Sequence, residues 1–133
     1  MSEENLARVR EALTAYNRDG MDGLFEYYDD DVVFAIDPGF PDAGTYRGKE
    51  AVRAYSDQWA ETFEEFDWEI EDLLEVSDDE VLAIFQIHGR GRGSGVSVEM
   101  PLAWIITLRD GKALRIESFL DPAKALEAAG LSE

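Results

Sequence analysis

Midway along the chain the spacing of apolar residues changes from three or four to two, and only a fold that pairs helices with a sheet accommodates both halves. In the first half Leu6, Val9, Leu13 and Tyr16 form one helical stripe, with Ser2 expected as its cap and Glu3 and Glu4 in the positive first turn. Asn17-Arg18-Asp19-Gly20 stops that helix, and Asp22 is expected to cap a short second one carrying Leu24, Phe25 and Tyr28. Gly48 opens a third, in which Val52, Tyr55, Trp59 and Phe63 repeat the helical spacing. From Phe66 onward the period is two: Phe66, Trp68 and Ile70 alternate with Asp67, Glu69 and Glu71, the pattern of a strand wet on one face.

Turn chemistry divides the rest. Val32-Val33-Phe34-Ala35-Ile36 is a β-branched run of strand length that ends at Asp37-Pro38-Gly39, and Pro38 and Pro41 make the following segment a loop. Ser77-Asp78-Asp79 separates the Phe66 strand from one spanning 81–88. The glycine-rich run 89–95 predicts a hairpin region, since no Lys-Ser/Thr and no helix follow it as a phosphate loop requires. A strand over 96–108 comes next, then Asp110-Gly111, the sharpest turn signal in the chain, and a last strand over 113–120. Asp121-Pro122 and Gly130 bracket a short terminal helix. The expected order is helix, helix, strand, helix and four strands, in one α+β domain over 1–133 with a strongly bent, mainly antiparallel sheet.

Composition narrows the function classes. Thirty acids against twelve bases give a net charge of −18, which repels nucleic acid and anionic membrane surfaces, so neither is expected as a partner. The same charge suits solubility and is compatible with adaptation to high salt. The lack of cysteine removes disulfides, thiolate metal sites and a cysteine nucleophile. No apolar run approaches the roughly 20 residues of a membrane helix, and a cytoplasmic location is expected.

Tyr28-Asp29-Asp30-Asp31 before the first strand, Tyr46-Arg47-Gly48-Lys49-Glu50-Ala51-Val52 opening the third helix, and Arg109-Asp110-Gly111-Lys112 before a strand ending Phe119-Leu120-Asp121 together resemble the SnoaL-like members of the nuclear transport factor 2-like superfamily. The resemblance spans nearly the whole chain and implies a cone of sheet and helices with an apolar pocket at its open end. The family includes ketosteroid isomerases, epoxide hydrolases, polyketide cyclases, dehydratases and binding proteins, so the pocket residues must decide the chemistry. Counting from Asp110-Gly111-Lys112, the resemblance directs Ile116, Ser118 and Leu120 inward, together with Met100, Leu102, Trp104, Phe85 and Ile87. A slip of one residue would present Gln86 and His88 instead. Tyr16, Phe34, Tyr55 and Trp59 complete the expected lining, although aromatic stripes of this kind also serve simply as core.

The positions similar to Phe85, Ile87 and Ser118 hold an Arg and two Asp in limonene-type epoxide hydrolases; none of the three residues here orients and deprotonates water as that set does. Asp37-Pro38 resembles the Asp-Pro of the ketosteroid isomerase base, while the position of the isomerase oxyanion Asp falls on Trp104. Asp37 is therefore the leading general-base candidate, its alternative being an Asx-type turn before Pro38. His88, the single histidine, is the second candidate, its alternative a half-exposed strand residue. One histidine, no cysteine and an Asp29-Asp30-Asp31 run without cation-loop spacing point to no metal, and the lack of a phosphate-binding fingerprint argues against a nucleotide cofactor, so no cofactor is expected. The expected partner is a small apolar or aromatic molecule, bound with or without isomerisation, cyclisation or hydrolysis. The rival reading is a noncatalytic binding or assembly module, and a homodimer through the outer sheet face is expected in either case.

Overall fold

The computed structural model describes residues 2–36 and 44–131, apart from the side chains of Ser2, Glu65 and Phe66. The expected caps at Ser2 and the turn at Asp37-Pro38-Gly39 thus fall outside what is described. Helix α1 (Ser2–Asp19) carries Glu3 and Glu4 in its first turn and Arg18 in its last, both favourable toward the helix dipole. It buries Val9, Ala12, Leu13, Ala15 and Tyr16. The short α2 (Met21–Phe25) starts from Gly20, so Asp22 lies in its first turn and is not its cap. A side chain on Gly23 would put its Cβ 2.6 Å from the carbonyl oxygen of Ala15, and glycine there is what lets α2 lie against α1.

The first strand begins earlier than its β-branched run. β1 (Tyr28–Ile36) incorporates Asp29-Asp30-Asp31, where the backbone N–H of Asp31 donates to the Asp29 carboxylate and Arg109 reaches the same oxygen at 3.0 Å. Tertiary pairing overrides the poor strand propensity of aspartate. A four-residue strand that the sequence reading leaves as loop, β2 (Gly44–Arg47), pairs antiparallel with β1. Helix α3 (Lys49–Ala60) follows, and Phe63 opens β3 (Phe63–Glu75) instead of continuing the helix. The long strands β4 (Glu80–Gly91) and β5 (Ser97–Arg109) and the shorter β6 (Lys112–Phe119) complete one six-stranded sheet of order β2-β1-β6-β5-β4-β3. Among the described residues only the β1–β6 pairing is parallel. Asp110 and Gly111 adopt φ of 54° and 79°, as a tight Asp-Gly hairpin requires.

Register shifts interrupt the ladders at Phe63/Glu65, Ile70/Asp72 and Thr107/Leu108, and such bulges bend long strands. Helices α1, α2 and α3 pack on one face of the bent sheet, over Val81, Ala83, Phe85 and Ile87 of β4 and Leu102, Trp104 and Ile106 of β5. The last helix, α4 (Pro122–Ala128), is capped by the Asp121 carboxylate, which accepts from the Ala123 N–H. It covers the opposite face, where Ala125 meets Leu82, Ala103 and Ile105. The unbroken apolar run Leu102-Ala103-Trp104-Ile105-Ile106 follows from burial on both sides at that point. No helix among the described residues is long and apolar enough to cross a membrane.

Candidate functional site

A narrow cavity, open to solvent at its mouth, lies between the helices and the covered face of the sheet. Its rim is formed by the half-buried Met21 of α2 and Tyr55, Ser56 and Trp59 of α3. Arg53 fixes the two helices that frame this mouth: its guanidinium lies 2.9 Å from Asp22, 3.0 Å from Asp57, and 5.3 Å from the centre of the Phe25 ring. Deeper inside, Tyr28 and Phe34 of β1, Trp68 of β3, Trp104 of β5 and Ser118 of β6 form the walls.

Those walls are an aromatic network centred on Trp104. Its rings meet Phe34 edge-on at 5.5 Å, Trp68 at 4.9 Å and Phe85 at 5.3 Å, while Trp68 stacks on Phe85 at 4.7 Å. Edge-to-face contacts hold each ring in one orientation, so the cavity is a preformed slot rather than a pliable groove. Tyr16 packs behind Trp68 at 5.3 Å, where burial pushes its phenol up to about 12 against the lowering influence of the Trp68 indole.

Two polar atoms in this apolar setting have no hydrogen-bond partner among the described residues: the Tyr28 hydroxyl and the Trp104 Nε1. Tyr28 is 3% exposed and Trp104 5%, and both line the cavity. Burial raises the Tyr28 phenol far above its ordinary value, so it stays protonated and able to donate. An indole N–H is a donor only. Ser118, the buried polar residue of the described core, adds a hydroxyl nearby. Among the described lining residues there is no carboxylate, imidazole or ammonium. No group of three or more His, Asp or Glu among the described residues is placed to hold a metal ion.

Of the residues singled out from sequence, Phe34, Tyr55, Trp59, Leu102, Trp104 and Ser118 line the cavity. Phe85 and Ile87 are fully buried on the same face but lie behind it, and Tyr16 and the half-buried Met100 pack against the core around it. Ile116 lines a second hollow under α1. Leu120 lies beyond the end of β6 and is 37% exposed, so the strand ends before its side chain turns inward. The full burial of Phe85 and Ile87 fixes the parity of β4 and sends His88 to the other face. There its ring nitrogens lie 3.5 Å from Glu69 and 3.4 Å from Glu99, away from the cavity. Asp37 is outside the described residues; its neighbour Ile36 pairs with Ser118 across the parallel β1–β6 ladder. Sequence reasoning missed Met21, Leu24, Ser56, Tyr28 and Trp68 as lining. Trp68 carried a usable signal, since it is the inward residue of an alternating strand. Tyr28 fits the α2 stripe and the β1 alternation equally, which conceals its position.

A family model for the SnoaL-like domain matches residues 9–116. The chain belongs to the SnoaL-like domain family. Comparison with curated proteins finds no match. Solved structures with the same fold include a putative SnoaL-like polyketide cyclase from Jannaschia sp. CCS1, 20% identical with a TM-score of 0.77, covering 99% of this chain and 94% of that one. TerC, co-crystallised with polyporic acid, is 17% identical with a TM-score of 0.76 over 96% and 98% of the two chains. A Mycobacterium tuberculosis protein in complex with estradiol-17β-hemisuccinate is 20% identical with a TM-score of 0.72 over 89% and 94%. At these identities the likeness establishes the fold alone.

Proposed function

We propose that this SnoaL-like domain binds a flat, mainly apolar molecule that presents a hydrogen-bond acceptor to Tyr28 and Trp104. The observation that carries the reading is an aromatic slot lined by Tyr28 and Trp104, whose buried donors have no partner among the described residues. Burying a donor without a partner costs stability, and a bound acceptor oxygen would recover that cost. Aromatic walls set the shape of the guest, and the donors set its orientation. The aromatic and steroidal ligands held by TerC and the Mycobacterium tuberculosis protein are of the class such a slot accepts.

The same donors would stabilise an oxyanion developing on a bound carbonyl, which is the electrophilic half of isomerisation or cyclisation chemistry. The basic half rests on Asp37, which follows directly on Ile36 beside Ser118. A noncatalytic binder is the second reading, favoured by the lack of any ionisable side chain among the described lining residues except the firmly protonated Tyr28. The homodimer belongs to the proposal as well, with the qualification that α4 covers part of the outer face and Asp67, Glu69, Glu71 and Glu99 are exposed along β3 and β5.

Thermal-shift and tryptophan-fluorescence titrations against naphthols, hydroxyquinones and steroids test the binding. At least one such compound is expected to raise the melting temperature and saturate; uniform failure across all three classes would refute it. Where a binding compound is also turned over, Asp37→Asn is expected to lower kcat by about 100-fold or more with KM nearly unchanged. Unchanged kcat would remove Asp37 as the base.

A further inference from the structure

Tyr28 and Trp104 are both deeply buried, so a guest whose oxygen reaches their donors must lie between the cavity walls and not across the mouth. Between those walls there is about 40 Å³, whereas an apolar cavity of roughly 150 Å³ is what takes up a benzene ring. Entry of a flat ring therefore needs a wall to give. The floor does not, because Phe34, Trp68, Phe85 and Trp104 hold one another by edge and face contacts. Nor does α2, which lies so close to α1 that a Cβ on Gly23 would meet the Ala15 carbonyl oxygen at 2.6 Å. Helix α3 is the loosely held wall. Of its twelve residues Val52 alone is fully buried, and it gives Tyr55, Ser56 and Trp59 to the rim. Tyr55 stacks on Tyr46 of β2 at 4.6 Å, which seats the helix on the sheet. Across to α2 it is tied by Arg53, whose Nη2 lies 2.9 Å from the Asp22 carboxylate, with the two side chains 36% and 86% exposed.

We propose that the Arg53–Asp22 pair is a clasp on the cavity mouth: it holds α3 against α2 in the free protein, and the ligand binds to the form in which the pair is parted and α3 has moved away from Met21. This rests on the binding reading given above and adds how that site opens. An ion pair this exposed is worth a factor of about two to five, so the clasp opens readily. The apparent affinity is nevertheless lowered by the fraction of molecules that are clasped. Asp57 holds the same guanidinium at 3.0 Å from within α3 and moves with it, so that contact places Arg53 without bridging the gap.

Isothermal titration of the intact chain with 1-naphthol, 2-hydroxy-1,4-naphthoquinone and estradiol, repeated on Asp22→Asn, Arg53→Met and the double variant, tests the clasp. For a compound that binds, each single variant is expected to tighten binding about two- to fivefold, with the gain in the association rate read by stopped-flow fluorescence. The double variant is expected to gain no more than either alone. Raising sodium chloride from about 0.1 to 1 M is expected to tighten binding to the unmodified chain more than to Asp22→Asn, which lacks the pair that salt screens. A contact that merely supported the site would act with the opposite sign. Affinity unchanged or weakened in Asp22→Asn, which keeps the Arg53–Asp57 pair and the Phe25 contact, overturns the clasp while leaving the slot intact, and additive gains in the double variant do the same. Failure of all three compounds to bind the unmodified chain overturns the clasp together with the reading beneath it.

Discussion

Replacing Tyr28 with phenylalanine is expected to make the free protein more stable and a worse binder. The hydroxyl is buried with no partner among the described residues, so the folded state carries its desolvation cost without a compensating bond. That cost is about 1–3 kcal/mol. For a chain of this size each kcal/mol corresponds to roughly 3–5 °C, giving an expected rise in melting temperature of about 3–15 °C. A ligand whose oxygen bonded to Tyr28 would in turn meet an apolar edge, and its affinity should fall about tenfold. Differential scanning calorimetry and fluorescence titration on the same samples read both effects. Tyr16→Phe is the internal control: its phenol engages the Trp68 indole, so the same deletion there should lower the melting temperature. A fall in melting temperature for Tyr28→Phe comparable to that of Tyr16→Phe would mean that the Tyr28 hydroxyl is satisfied in the fold, and the reasoning from its isolation would be wrong.

Alkaline pH should unfold the chain through the same two tyrosines. Burial raises both phenols, so the stability they confer is whole below the ordinary value of 10.0 and declines as pH climbs through about 12, where Tyr16 ionises. Urea midpoints measured across that range should fall, and less steeply in Tyr28→Phe; parallel declines would contradict the assignment. Gly23→Ala should destabilise by about 1–3 kcal/mol in chemical denaturation, because the new methyl would collide with the Ala15 carbonyl; a neutral effect would show that α2 shifts freely. With a net charge of −18, raising sodium chloride from 0.1 to 1 M shortens the screening length from about 10 to 3 Å and should raise the melting temperature. A lower melting temperature in 1 M salt would mean that ion pairs such as Arg109–Asp29 outweigh self-repulsion.

Most of the architecture was legible because periodicity and turn residues agreed. The change of period, Asp110-Gly111 and Asp121-Pro122 placed the last two strands and α4 to within a residue or so. β2 was not legible, since four residues with only Tyr46 half-buried show no alternation, and an edge strand is created by its neighbour. The start of β1 was hidden for the opposite reason: three aspartates argue against a strand locally, and what holds them is Arg109, eighty residues away. In the site, it was the family resemblance that chose the inward face, and counting in twos from a secure turn along that face led to Leu102, Trp104 and Ser118, which line the cavity. His88 was placed by the same parity once Phe85 and Ile87 were known to be buried. What no spacing reveals is that the polar ends of Tyr28 and Trp104 find nothing to bond to among the described residues. That is a property of the assembled interior, and it is the feature that gives the slot its chemistry.

The most direct measurement is the ¹H–¹⁵N resonance of the Trp104 indole, assigned by Trp104→Phe, during titration with the tightest-binding phenol or hydroxyquinone. A hydrogen bond from Nε1 to the ligand oxygen should move this peak downfield and saturate along the binding curve read from fluorescence. Saturable binding that leaves the Trp104 indole peak in place would contradict the account, because the guest would then lie elsewhere or present no acceptor to the indole.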